Sequence, residues 1–280
     1  MARWRSSKTE THDDRVARYE ALENDVPTLT EAELRLRTRR SVLTGGAASL
    51  AGLASWRWVQ GQPEVDRIPQ VLRDTHEFNE AIWRRLYRPN KLAPTFDPSE
   101  ATDIRVNGRH GGLENDAPFD IANWQMRVVG PDGEELGRHV MEDDLLALPQ
   151  TEMTVEHKCV EGWSNVVTWG GSRFSDFVET HYPQFIENPT AYVALETPPQ
   201  NINNHFYVGL DWDSMMHPQT LLASRLNGEE LSQPHGAPIR LTTPLKYGTK
   251  QIKRIGTITF TNERPADYWT ERGYDWYAGL

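Results

Sequence analysis

Met153-Thr154-Val155-Glu156-His157-Lys158-Cys159-Val160-Glu161-Gly162-Trp163-Ser164 is the stretch from which the rest of the chain is read. Its first five residues alternate as a half-buried strand does, one side chain toward a core and the next away from it. Cys159 stands where that strand runs out into a glycine-containing turn, the place in a sheet protein where loops and ligands meet. It is the only cysteine among 280 residues. That count excludes an intramolecular disulfide, a Cys-x-x-Cys zinc site and a Cys-x-x-Cys-His haem attachment. Three readings of the thiol remain. It is an inert small apolar group, a nucleophile with His157 or His205 as base, or a soft thiolate ligand of a transition metal. His157 shares a strand face with Cys159, whereas a catalytic base normally comes from elsewhere in the chain.

Further along, His235-Gly236-Ala237-Pro238-Ile239-Arg240 and Lys246-Tyr247-Gly248-Thr249-Lys250-Gln251-Ile252-Lys253-Arg254 make a local basic cluster in a chain of net charge −10. Cations beside the backbone N–H groups of a glycine loop suit a phosphate, and Arg240 suits bidentate contact with one. The competing reading is a solvated basic face. Upstream, Arg105-Val106-Asn107-Gly108-Arg109-His110-Gly111-Gly112 is a polar glycine-rich loop that by itself reads as a turn. The overall acidity argues against nucleic acid as a partner.

Around these segments the texture is α+β. Helical spacing covers Pro69 to Tyr87, with Val71, Leu72, Phe78, Ile82, Trp83 and Leu86 as its apolar positions. From about residue 103, short β-type runs alternate with turns. Trp124–Val129, Met153–His157, Tyr192–Leu195, Phe206–Leu210, Ile239–Thr243 and Ile255–Thr261 read as strands. Ser175–His181 reads as a short helix capped around Ser175-Asp176-Phe177, and Pro218–Leu226 as a helix stopped by Asn227-Gly228. The expected organisation is a polar N-terminal segment with its export signal or anchor over 1–60, a helical and loop lead-in over 61–102, and an oxidoreductase domain over 103–280.

The N-terminal segment carries Thr38-Arg39-Arg40-Ser41-Val42-Leu43-Thr44, then a small-residue apolar run to Ala54, then Trp56-Arg57-Trp58. Paired arginines directly against a short, weakly hydrophobic stretch have the layout of a twin-arginine export signal. The run is short for a membrane span, which takes ~20 residues; Trp56 and Trp58 would suit an uncleaved anchor at the interface. Export of folded protein by this route fits a passenger that takes up a cofactor before it leaves the cytoplasm.

Together these segments resemble the sulfite oxidase superfamily of molybdopterin enzymes, and within it the bacterial branch of methionine sulfoxide reductase catalytic subunits of the MsrP/YedY type. The resemblance runs from about Arg105 to Leu280. Cys159-Val160-Glu161-Gly162-Trp163-Ser164 with Val167 and Trp169 is its most specific part. Tyr192–Thr197, His235–Leu241, Lys246-Tyr247-Gly248-x-Lys250-x-x-Lys253 and the aromatic ending from Asp267 to Tyr277 follow in the same order. The resemblance implies a sulfite-oxidase-type molybdopterin-binding fold with mixed sheets, lacking the C-terminal dimerisation domain of the classical enzymes and therefore monomeric. It implies that Cys159 ligates molybdenum, that Glu161 lies near the metal, and that one molybdopterin is held by Asn107, Arg109, His110, Thr197, His235, Arg240, Gln251, Ile252 and Lys253. Arg240 and Lys253 would face its phosphate, and His235 stands where relatives often carry Asn.

The implied activity is oxygen-atom transfer in the periplasm. It is the reduction of an S-oxide or N-oxide such as methionine sulfoxide, on a small molecule or a protein, with electrons from a membrane cytochrome b. The region Pro198–His217 is expected to help shape the substrate pocket. It contains no arginine, which favours a neutral oxo-acceptor over sulfite unless Arg109 or Arg173 reaches in. The alternatives are a sulfite dehydrogenase, then a non-catalytic cofactor-binding module, then a cysteine hydrolase.

Overall fold

In the computed structural model, residues 11–13, 15–17, 30–86, 91–106, 119–198 and 205–279 are described. Contacts divide the chain into two units, residues 1–61 and 62–280. In the first, helix α1 (Glu31–Gln60) opens on a capping box. Thr30 Oγ1 accepts from the Glu33 N–H, and the Glu33 carboxylate accepts from the Thr30 N–H. The paired Arg39 and Arg40 lie inside this helix, and none of its residues is buried. Among the described residues no helix is long and apolar enough to cross a membrane.

The second unit begins with the small hairpin of β1 (Glu64–Val65) and β2 (Ile68–Pro69), which runs into α2 (Gln70–Leu86). Two side chains of α2 tie it to the C-terminal segment. Arg73 donates to the carbonyls of Thr270 and Tyr274, both at 2.9 Å, and Glu80 accepts from Arg264 at 2.6 Å. There follow β3 (Met126–Val129), β4 (Glu135–His139), a π-helical turn (Met141–Leu145), β5 (Gln150–Lys158), β6 (Ser164–Arg173), α3 (Phe174–His181), α4 (Gln184–Glu187), β7 (Tyr192–Glu196), β8 (Tyr207–Asp211), α5 (Trp212–Met215), β9 (Leu221–Leu226), β10 (Glu229–Glu230), β11 (Arg240–Thr242) and β12 (Thr257–Thr261).

They form two five-stranded sheets. One runs β4-β3-β12-β7-β8, with β3 and β12 parallel and the other pairs antiparallel, so the sheet is mixed. The other runs β10-β9-β6-β5, with β11 also on β9, all antiparallel. The α+β class with mixed sheets is as the sequence implied.

The segment Pro218–Leu226 differs from its expectation: it is a strand, not a helix. β9 is the centre of the second sheet and is buried on both faces. Leu222 enters a core with Val128, Phe174, Leu195, Leu210, Ile258 and Phe260, while Leu221 and Ala223 enter a smaller one with Val155, Val167 and Trp169. A strand covered on both sides loses polar alternation and reads as a continuous apolar run, which length alone does not separate from a buried helix. Asn227-Gly228 is the hairpin turn from β9 to β10, both residues at positive φ (51° and 84°), the chemistry of a two-residue connection. At the other end of the sheet's centre, Gly171 lets β6 press against the backbone of Leu222 and Ala223, where a Cβ would collide. Helix α3 also differs slightly from expectation. It starts at Phe174, its N-cap is Arg173, and no side chain caps it, so Ser175 and Asp176 lie inside its first turn.

Candidate active site

β5 and β6 pair without interruption from Gln150↔Ser172 to Lys158↔Ser164, which leaves Cys159–Trp163 as the connecting loop. The loop is closed by two backbone bonds, Cys159 N–H to Trp163 O at 3.0 Å and Gly162 N–H to Cys159 O at 3.1 Å. Gly162 sits at φ +85°, a conformation glycine adopts without strain. Cys159 is half-buried and lines a cleft. Glu161 also lines it, solvent-exposed, its carboxylate accepting from Trp163 Nε1 at 2.8 Å.

The floor of this cleft is organised by Gln251. Its Nε2 donates to the carbonyls of Thr243 and Lys246, each at 3.0 Å, which fixes the amide orientation. Its Oε1 then accepts from Thr242 Oγ1 at 3.0 Å and faces His157 Nδ1 at 3.1 Å. An amide oxygen only accepts, so the His157 proton is on Nδ1 and its Nε2 presents a lone pair. Burial, then the nearby charge of Arg240, pushes the pKa of His157 down to about 3, and the ring is neutral. The ring stacks on Trp163, with centroids 6.1 Å apart. Gly248 passes close by: a Cβ there would meet His157 Nε2 at 2.9 Å.

Arg240 is 3% exposed. Its Nη1 and Nη2 donate to the carbonyls of His235 and Gln251, both at 3.1 Å, and the guanidinium lies 4.6 Å over the Trp169 ring. Its buried Nε has no partner among the described residues, and Arg240 pairs with no carboxylate there. Burial alone pushes its pKa down to about 9. Lys253 donates to Pro234 O at 3.1 Å, and burial followed by the charge of Arg240 pushes it down to about 7. Two partly desolvated cations that raise each other's energy, one with an unsatisfied N–H, are arranged for an anion.

The structure therefore gathers Cys159, Glu161, Arg240, Gln251 and Lys253 around one cleft. Thr197 does not line it; it is buried, and its hydroxyl is engaged with the backbone of Phe206, which does. His235 is bound through Nδ1 to Ser232 and through Nε2 to Ile104 O, and reaches the cleft only by the carbonyl that holds Arg240. Ile252 points into the large core, so only its backbone is available to a ligand. Asn107, Arg109 and His110 lie outside the described residues.

The basic cluster is not a solvated face. Lys246 is buried against Asp211 (3.5 Å) and over the Tyr277 ring (3.0 Å). Lys250 pairs with Asp267 at 2.6 Å, and Arg254 stacks over Phe119. The region Pro198–His217, expected to help shape the pocket, is described in part, residues 199–204 lying outside the described residues. Among its described residues Phe206 alone lines the cleft, while Asp211 caps α5 and His217 is buried with its Nε2 on Lys91 O. Arg173 is exposed at the end of β6, away from the cleft. What the sequence reading did not assign to the site are Arg105, lying 5.7 Å over the Trp163 ring, and the aromatic wall of Trp163, Phe206, Trp269 and Tyr274. The signal was present in the aromatic ending of the chain, but only the fold brings that ending opposite Cys159.

A soft thiolate donor, a buried Arg240 with an orphaned N–H beside a half-buried Lys253, and a glycine that keeps the floor open fit a phosphate-bearing metal cofactor held by cysteine. A fold of this kind with this site defines an oxidoreductase built around such a group. The chain belongs to the family described as "Oxidoreductase molybdopterin binding domain", whose model matches residues 111–269, and its cofactor is molybdenum-molybdopterin. Among curated proteins it is 29% identical over 86% of its length to the "Putative protein-methionine-sulfoxide reductase subunit YedZ1" of Azospira oryzae, of which the match covers 86%. It is 34% identical over 58% of its length to the "Protein-methionine-sulfoxide reductase catalytic subunit MsrP" of Campylobacter jejuni, of which the match covers 58%. Among solved structures, the sulfane dehydrogenase SoxCD from Paracoccus pantotrophus aligns with 62% of this chain and 49% of its own, at 17% identity and a TM-score of 0.45.

Proposed function

We propose that the chain reduces methionine sulfoxide, as the amino acid or within a protein, with electrons from a membrane cytochrome b. The observation that carries this reading is the wall of Trp163, Phe206, Trp269 and Tyr274 around the cleft that Cys159 lines. Aromatic rings receive a methionine side chain through apolar contact and sulfur–ring contacts. A sulfite site needs converging guanidinium groups. Here Arg240 is reserved for the cofactor phosphate, which leaves Arg105, over Trp163, as the other guanidinium that lines the cleft among the described residues. The names of the relatives from Azospira and Campylobacter support the same substrate.

When bound, the molybdenum cofactor supplies oxygen-atom transfer and holds the electrons in transit. The chain's own residues bind and orient it. Cys159 would donate the protein thiolate and Arg240 and Lys253 would hold the phosphate, while Gln251 keeps Arg240 and His157 in place. Neutral His157 presents a lone pair rather than a charge to the cleft. Glu161 at the rim is a carboxylate through which protons can exchange with solvent. Overall, the sulfoxide takes up two electrons and two protons and leaves as the thioether and water. The Arg39-Arg40 segment supports export by the twin-arginine route to the periplasm. Retention at the membrane would rest on Trp56 and Trp58 at the interface rather than on a span.

Protein purified from a molybdopterin-producing host should consume methionine sulfoxide with a reduced viologen as electron donor. In Cys159→Ser the rate should fall by at least ~100-fold and molybdenum should be lost, since a hydroxyl is a poor soft-metal ligand. Turnover of sulfite without sulfoxide reduction would replace this reading with the dehydrogenase, and full activity in Cys159→Ser would remove both.

A further inference from the structure

None of His139, Asp144 and His181 lines the cleft, yet the three bring metal-ligand atoms together: one from each lies within 4.8 Å of the others. His139 ends β4, Asp144 lies in the π-helical turn and His181 ends α3. Their positions in sequence are remote enough that only the packing of α3 against this turn unites them.

Each side chain is oriented by a second contact. Asp144 Oδ2 accepts from the Val140 N–H at 2.7 Å, which turns Oδ1 inward. His139 Nε2 is 2.6 Å from Tyr182 Oη, and the His181 ring is set by Nε2, 3.3 Å from the Asp144 carbonyl. The two imidazoles lie with centroids 4.6 Å apart. His139 is 7% exposed, and its Nδ1 has no aligned hydrogen-bond partner among the described residues. That nitrogen is 3.3 Å from Asp144 Oδ1, an ion-pair distance, but the two are not aligned as N–H and acceptor.

With the Nε2 proton of His139 on the Tyr182 hydroxyl oxygen, its Nδ1 lone pair and Asp144 Oδ1 stand 3.3 Å apart as two donors that one cation can take together. A metal-bound histidine whose other nitrogen donates to an oxygen is the usual outer arrangement of such sites.

We propose that His139, Asp144 and His181 bind a divalent transition metal of the zinc class, at a site separate from the molybdenum cleft. Two imidazole nitrogens and one carboxylate oxygen are borderline donors that suit zinc, with water completing a tetrahedron. The metal would join the end of β4 and the π-helical turn to α3, and so stabilise the folded chain by mass action.

The test uses the full chain with any affinity tag removed, dialysed against EDTA and then titrated with zinc chloride in competition with a chromophoric chelator. One zinc should be retained per chain after gel filtration, with a rise in melting temperature. Asp144→Asn keeps the shape and the Val140 bond, and His181→Ala removes a half-buried ring; each should weaken zinc at least tenfold. Cys159→Ser should keep the zinc while losing molybdenum, which separates the two sites. No retained zinc, undiminished affinity in both Asp144→Asn and His181→Ala, or zinc lost only in Cys159→Ser would each overturn the assignment.

Discussion

Lys250 and Arg240 are equally buried cations, and their surroundings differ in one respect. Lys250 has Asp267 at 2.6 Å and Gly209 O at 2.9 Å; Arg240 has two carbonyls, an aromatic face and an N–H with no partner. The first arrangement is complete without anything added. In the second, charge has been moved out of water without an opposite charge to receive it, which costs stability. A chain that keeps such a group is keeping a place for an anion. In this basic cluster, then, the absence of a carboxylate says more about function than the presence of positive charge.

The largest stability effect should come from Lys250→Met. Removing the ammonium leaves the Asp267 carboxyl buried with the backbone donors of Gly209, Trp269 and Thr270 and the Thr270 hydroxyl but no cation, and should cost about 3 kcal/mol in urea denaturation. A loss below about 1 kcal/mol would mean that the pair is not what completes this region. Arg240→Met should behave in the opposite sense. It leaves no orphaned charge, only two carbonyls without donors, so the cofactor-free protein should lose less than about 2 kcal/mol. Bound molybdenum and pterin, measured on the same preparations, should fall at least ~10-fold. Unchanged cofactor content with a stability loss like that of Lys250→Met would make Arg240 structural.

The smallest effect sharpens the comparison through pH. Lys253 is pushed down to about 7 in the folded chain, against an ordinary lysine value of about 10.4 when unfolded. Below pH 7 both states are charged and the burial cost is felt in full. Between about 7 and 10 the unfolded chain holds a proton that the folded chain has released, so the stability of the cofactor-free protein rises with pH. Lys246, also pushed down to about 7, contributes with the same sign. Lys253→Met should therefore reduce the slope of stability against pH by about one proton rather than abolish it. Binding of the anionic cofactor should recharge Lys253, and protons should be taken up on loading near pH 8. A slope unaffected by the substitution would place Lys253 outside the anion site.

The strand that carries Cys159 and the turn after it were legible because period-two alternation and a glycine turn are local signals. The runs at β3, β7, β8, β11 and β12 were read as strands as well, whereas β4 and β6 were not. β9 was not, because burial on both sides removes the alternation by which a strand is recognised. The fates of Lys246 and Lys250 were hidden for a different reason. Asp211 and Asp267, which neutralise them, are distant in sequence, and nothing local distinguishes a lysine that will meet a carboxylate from one that will not. Arg240 and Lys253 could be assigned to an anion only by resemblance, and the structure adds the orphaned Nε as an independent reason. The cluster of His139, Asp144 and His181 has no spacing that a ligand pattern would recognise, and the aromatic side of the cleft depends on where the chain's last turns are folded.

The uninterrupted pairing of β5 with β6 has a consequence for motion. Amides in the middle of a long ladder, buried on the face that carries Val155 and Val167, exchange with deuterated water chiefly when the whole domain opens. Cys159 is the residue next after that ladder. Its N–H bond to Trp163 O carries the pairing one step further, so the sulfur leaves its place only after that bond and the last pair, Lys158↔Ser164, have opened.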